Sequence, residues 1–179
     1  IALAGADVIK DRIDYIKMLQ VKATEIYRGI SGEKEELSIK YLSNVKYESE
    51  DKESIAKIYF DKMKKNRPND LYLKNTTSGP HRDDIEILIN GISARKYGSQ
   101  GQQRSASLAM KLGEAEIIKD LKGEHPIILL DDVMSELDST RQNYILNKMT
   151  GKQVFITCCE KETISKLCEG KIIKIEKGK

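Results

Sequence analysis

The chain has 179 residues, 39% of them hydrophobic and 33% charged, a balance that suits a domain with its own core and excludes the apolar-poor composition of a disordered chain. Its formal net charge of +3, from 31 basic and 28 acidic residues, is too weak a bias to name nucleic acid as partner, although Lys62, Lys64, Lys65 and Arg67 form a local basic patch. The longest apolar run, Pro126 to Leu130, falls far short of the roughly 20 residues a bilayer span requires, and three cysteines with Cys158 and Cys159 adjacent do not form a secreted disulfide framework.

The chain opens at Ile1 directly in a helical pattern, so an absent upstream part is expected. Apolar residues at Ile9, Ile13, Ile16, Ala23, Ile26 and Ile30 place one stripe along a helix closed near Gly32; a packed helix is favoured over the start of an arm or coiled coil. Leu37, Ile39 and Tyr41 alternate as a half-buried strand, and Ile55, Ile58, Tyr59 and Met63 return to helical spacing until Arg67-Pro68-Asn69 is expected to break it. The principal boundary is placed near Asp70, dividing a helical segment (1–70) from the rest (71–179). Ile85, Ile87 and Ile89 then form a strand whose Asn90-Gly91 step predicts a tight hairpin extending to about Tyr97.

After Gly98 a polar loop, Ser99-Gln100-Gly101-Gln102-Gln103-Arg104, precedes a helix through Leu108, Leu112, Ala115, Ile118 and Leu121 that stops at Gly123. A strand from Ile127 to Leu130, a helix from Arg141 to Met149, a strand from Val154 to Thr157 and an alternating segment from Lys171 to Glu176 complete an α/β pattern with some parallel sheet.

Two segments carry chemistry. The strand Ile127-Ile128-Leu129-Leu130 delivers Asp131 and Asp132 at its carboxyl end, where open α/β sheets bind ligands. Two adjacent acids on a buried strand call for a cation or donors, which favours a metal-phosphate site over a helix-capping pair. The Ser99–Arg104 loop opens a helix whose first N–H groups and dipole suit a phosphate, yet Ser-x-Gly in that place is often a cap alone. No G-x-x-x-x-G-K-[S/T] loop occurs in the chain, so a complete nucleotide site is not expected from these residues by themselves.

Taken together, Ser99-Gln-Gly-Gln-Gln103-Arg104, the strand ending Asp131-Asp132, and Ser135-Glu-Leu-Asp138 resemble the signature, Walker B and D-loop of an ABC-type ATPase. Gly79-Pro80-His81-Arg82-Asp83-Asp84, Gly98 to Arg104 and Leu129 to Gln142 further resemble the RecF family of bacterial, SMC-like recombination mediators. The resemblance covers most of Gly79 to Thr157, and extends more weakly to Ser31–Leu37.

The resemblance implies the carboxyl-terminal lobe of an ABC-ATPase head, with residues 1–70 as a helical part of that lobe and a Walker A loop in an upstream segment. It assigns Mg²⁺ to Asp131, the catalytic base to Asp132, and contact with ATP on an opposing subunit to the signature residues Ser99, Gln100, Gly101, Gln102 and Gln103. Ser135 and Asp138 correspond to D-loop residues at the dimer seam, with helix capping as the plain alternative. The switch position is occupied by Thr157 where many relatives carry histidine, and Asp132 stands where most have glutamate, so slow hydrolysis is expected.

The resemblance also implies a bacterial cytoplasmic protein that forms an ATP-dependent homodimer on gapped or duplex DNA and works with RecR, RecO and RecA. A different SMC-like ATPase or nuclease head, or a non-catalytic scaffold, are the competing readings. Local hydrogen bonding is expected of His81, contact with DNA or a second head of Arg82, and a surface loop position of His125. The cysteines are read as small buried or turn residues.

Overall fold

The structure of the protein is a computed structural model that describes residues 1–134, 137–159 and 170–175. Helix α1 (Ala2–Ile30) is buried along the expected stripe, Ile16 being partly exposed, and serves two clusters. Its first half contributes Ala6, Ile9 and Ile13 to a core with Val45 and with Ile55, Ala56 and Tyr59 of α2 (Lys52–Leu73). Its second half, from Leu19 to Ile30, packs against β1 (Leu37–Leu42) and the long helix α4 (Gln100–Lys122). The two helices approach closely at Gly113, where an added Cβ would lie 3.1 Å from the backbone nitrogen of Ala23. This packing makes α1 an ordinary core helix.

Helix α2 does not stop at Pro68. It continues to Leu73, and Lys74 closes it in the left-handed region at φ 52°. Proline removes one intrahelical N–H bond, which a helix survives when the ring faces outward and the following turn is held elsewhere. Here Pro68 is exposed, and the Asp70 side chain accepts from the Thr77 backbone (3.0 Å) and hydroxyl (2.6 Å).

Strand β1 pairs antiparallel with β2 (Asp84–Ile89), from Leu37 opposite Ile89 to Leu42 opposite Asp84, so one sheet joins residues on both sides of position 70. Asn90 (φ 50°) and Gly91 (φ 78°) make the expected turn into β3, which is only Ile92–Ser93. The hairpin does not extend to Tyr97: Ala94–Tyr97 forms one helical turn, α3. The Ala94 carbonyl is taken locally, by the Gly98 N–H (3.0 Å) and the Gln103 side chain (2.9 Å), and not by the sheet.

Strands β4 (Ile128–Asp131) and β5 (Val154–Thr157) pair in parallel, with Asp131 opposite Thr157, and α5 (Ser139–Met149) connects them. Only one face of β4 is buried. Ile128 and Leu130 enter the core, whereas Leu129 is 72% and Phe155 53% exposed. Ile118 and Leu121 of α4 are also exposed; Ile118 borders an open cleft of about 420 Å³ with Leu108, Ile127 and Leu129. Lys171–Ile175 has no regular structure and its isoleucines are exposed, because alternation forms a strand only where a neighbouring strand takes up the backbone hydrogen bonds. No helix among the described residues is long and apolar enough to cross a membrane.

Candidate functional site

Ser99 forms the N-cap of α4. Its hydroxyl accepts the Gln102 backbone N–H (3.2 Å), and the Gln102 side-chain carbonyl accepts the Ser99 N–H (2.9 Å), a complete capping box. Ser99, Gln100 and Gln103 are exposed; Gly101 and Gln102 are half-buried. The helix start therefore faces outward with its positive dipole end. Within the turn the side chains diverge. Gln103 reaches back to the carbonyls of Ala94 and Gly98 (3.1 Å to the latter) and so braces the incoming loop. Gln102 donates to Glu35 Oε1 (2.7 Å), whose other oxygen accepts the hydroxyl of the buried Tyr27 (2.7 Å). Burial and then this hydrogen bond raise the Tyr27 hydroxyl well above its ordinary pKa, with Arg141 acting in the opposite sense.

The acidic pair lies at the carboxyl end of β4, but both carboxylates are exposed, so within this chain they are not desolvated by a buried strand. Thr157, one strand over, holds both residues. Its hydroxyl donates to Asp131 Oδ1 and accepts the Asp132 backbone N–H (3.0 Å), which also points to the Thr157 carbonyl (3.2 Å). Asp132 sits at φ 51°, a left-handed conformation that aspartate tolerates better than most residues. Thr157, at the expected switch position, thereby fixes Asp131 and the residue after it.

The turn leads to Asp138, the N-cap of α5, whose side chain accepts the Arg141 N–H (3.0 Å). Ser135 lies outside the described residues. Buried Met134 and Leu137 anchor the turn, and Gln142 donates to the Met134 carbonyl (2.7 Å). Arg141 pairs with Asp138 (3.4 Å) and brings a guanidinium nitrogen to within 3.3 Å of where a Cβ on Gly101 would stand. The starts of α4 and α5 thus adjoin, and Asp138 at that junction follows Asp131 and Asp132 closely in the sequence. Glu35, Tyr27 and Arg141 are participants that sequence reading missed. Glu35 sits in the charged run Glu33-Lys34-Glu35-Glu36, where nothing local singles it out.

Among the described residues no three His, Cys, Asp or Glu side chains converge as a metal cage. An exposed carboxylate at a strand end still fits Mg²⁺, which takes hard oxygen donors, usually from one or two carboxylates, with phosphates and water completing the shell.

The remaining candidates lie elsewhere. The Asp83 side chain, 1% exposed, accepts the Asn44 N–H (2.6 Å) and the Tyr41 hydroxyl and sits 3.4 Å from Arg12, fixing the Pro80–Arg82 turn against α1 and the end of β1. His81 (2.9 Å) and Arg82 (3.4 Å) both meet the Thr76 carbonyl, the local role expected of His81. In the basic patch, Lys62 turns inward to Asn44. His125 is exposed; Cys158 is half-buried and Cys159 exposed, both as free thiols, and Cys168 lies outside the described residues.

No protein-family model matches the chain. Individual relatives do. DNA replication and repair protein RecF of Clostridium tetani (strain Massachusetts / E88) is 44% identical over 180 residues, 99% of this chain and 49% of the relative. RecF of Clostridium perfringens (strain SM101 / Type A) is 39% identical over 181 residues, 100% of this chain and 49% of the relative. The chain thus spans about half the length of these curated relatives. Among solved structures, the recombination mediator protein RecF-ATP of the RecFOR pathway matches with a TM-score of 0.79 at 42% identity, over 90% of this chain and 44% of that one. The corresponding RecF-ATPrS structure matches with the same score and identity, over 43% of its chain. The mixed α/β fold is that of an SMC-like ABC-ATPase head, and the chain is a RecF-family sequence corresponding to the carboxyl-terminal part of RecF.

Proposed function

We propose that this chain supplies the signature half of a DNA-repair ATPase head, in which ATP joins two copies into a clamp on DNA and hydrolysis releases it. The reading is supported above all by one junction: the outward-facing start of α4 at Ser99–Gln102 lies beside the start of α5, which follows Asp131 and Asp132 closely in the sequence. ATP is named in a matching RecF structure. In this reading Ser99, Gln100, Gly101 and Gln102 face the triphosphate held by a second copy, where the Ser99 hydroxyl and the helix N–H groups donate to phosphate oxygens. Gln103 supports the loop from behind.

Asp131 would hold Mg²⁺, which when bound neutralises phosphate charge and orients the triphosphate. Asp132 accepts a proton from the attacking water. Its carboxylate is one methylene shorter than glutamate, and Thr157 is occupied by the two aspartates, so turnover is slow and ATP acts as a timer. Ser135 and Asp138 meet the second copy at the seam. Contact with duplex DNA near single-strand gaps is through phosphates and weakens with salt. RecO and RecR, partners in the RecFOR pathway that the matching structures name, and RecA belong to the same proposal, as does a bacterial cytoplasmic location.

The test is made in the full-length protein. Asp132→Asn is expected to keep ATP-dependent dimers, read by sedimentation, and to slow hydrolysis by about a hundredfold or more. Ser99→Arg is expected to abolish those dimers and leave nucleotide binding by the monomer near normal. Normal hydrolysis by the first variant removes Asp132 as base; normal dimerisation by the second removes the cross-subunit role of the signature turn.

A further inference from the structure

We infer that Glu35 is the positioning residue of the α4 start, fixing the Gln102 side chain so that Ser99 presents its hydroxyl outward; this rests on the proposed role of Ser99 and Gln102 toward a second copy's nucleotide. A primary amide has two nearly equal ends, one donating and one accepting, and a capping box needs the accepting end at the N-cap N–H. Within the capping box only the Ser99 N–H selects between them. Glu35 adds the second constraint, because an ionised carboxylate can only accept. It takes the Gln102 Nε2 at 2.7 Å, which leaves Gln102 Oε1 to receive the Ser99 N–H at 2.9 Å.

The carboxylate is itself fixed. Its second oxygen receives the Tyr27 hydroxyl at 2.7 Å, and Tyr27 is wholly buried near the end of α1. A rigid line therefore runs from the core of α1, through the loop between α1 and β1, to the first turn of α4. With Ser99 Oγ already accepting the Gln102 N–H (3.2 Å), the serine's own proton remains to be donated to an acceptor outside the helix. Of the N–H groups that a helix start leaves without intrahelical partners, those of Ser99 and Gln102 are used internally, and those of Gln100 and Gly101 are the pair the capping geometry does not consume.

Charge alone would select against this residue. A carboxylate beside a phosphate-binding turn repels the ligand, so if field strength governed the site, neutralising Glu35 would tighten ATP-dependent association. If orientation governs it, neutralisation weakens association, because glutamine at 35 carries its own ambivalent amide and no longer dictates how Gln102 lies. The sign of the Glu35→Gln effect separates the two.

In the full-length protein with a non-hydrolysable ATP analogue, Glu35→Gln is expected to raise the dimer dissociation constant by about tenfold, the scale of one charge-assisted hydrogen bond. Melting temperature and nucleotide affinity of the monomer are expected to stay near those of the parent. Hydrogen exchange over residues 99–103 is expected to quicken in the same variant without nucleotide. In a Gln102→Ala background, Glu35→Gln is expected to add nothing further. Dimers as tight as the parent's or tighter, unchanged exchange at 99–103, or additive effects of the two substitutions would each overturn the assignment. A Ser99→Arg protein that still dimerises would remove the underlying nucleotide reading. Normal dimers in Glu35→Gln alongside lost dimers in Ser99→Arg would remove the role of Glu35 alone.

Discussion

The helical side of the molecule and the two-stranded β4–β5 side solve burial differently. On the helical side the stripe of α1 is partnered along its length: it is covered by α2 at one end and by β1 and α4 at the other. On the other side β4 and β5 bury one face and expose Leu129, Phe155 and, just before β4, Ile127 at 59%. Parallel strands are ordinarily covered on both faces. The difference shows that the acidic pair is carried on a short sheet that shares the main core on one face, while no described residue covers the other.

Four substitutions sharpen that contrast. Ile30→Ala, at a side chain 1% exposed between α1 and its neighbours, is expected to cost about 2–5 kcal/mol, read from urea unfolding of the chain. A cost below about 1 kcal/mol would place the core elsewhere. The next effect is pH-dependent. Burial, followed by hydrogen bonds to Glu35 and Asp83 respectively, raises the Tyr27 and Tyr41 hydroxyls above their ordinary value. A raised folded-state pKa favours the protonated form, so their contribution is fully present below about pH 10, the ordinary tyrosine value, and is lost as pH rises toward the folded-state pKa. Urea midpoints should fall above that pH, and should fall less steeply in Tyr27→Phe and Tyr41→Phe; equal slopes would contradict the hydrogen bonding. Least of all, Leu129→Ser on the open face is expected to change stability by within about 0.5 kcal/mol, and to reduce self-association in light scattering. A large loss would mean that the face is covered in the isolated chain.

The sequence was most legible where one periodicity and one partner sufficed. The α1 stripe, the Asn90-Gly91 turn and the Gly123 end of α4 follow from local rules that packing did not override, whereas Gln100–Arg104, expected as a loop before the helix, form its first turn behind the Ser99 cap. Pro68 misled because a proline stops a helix only when nothing else holds the next turn, and Asp70 holds it through Thr77. The alternation of Lys171–Ile175 misled because pairing is not a local property. At the candidate site, residue type and order exposed Asp131, Asp132 and the Ser99 turn, but not what surrounds them. That Leu129 faces outward depends on which face of β4 the core covers. Glu35 meets Gln102 across 67 positions, a distance over which no periodicity carries information, and Thr157 turns to Asp131 because of strand register.

The pairing of α1 with α4 also sets the order of events on the ribosome. The 29-residue helix α1 leaves the ribosome well before α4, and the part of its cover that α4 supplies appears only after Gln100 has been added. Until then that apolar stripe has no full shelter, and the most distant contacts must close last. Nascent chains halted between α2 and α4 should therefore recruit holding chaperones, and those extended through Lys122 should shed them.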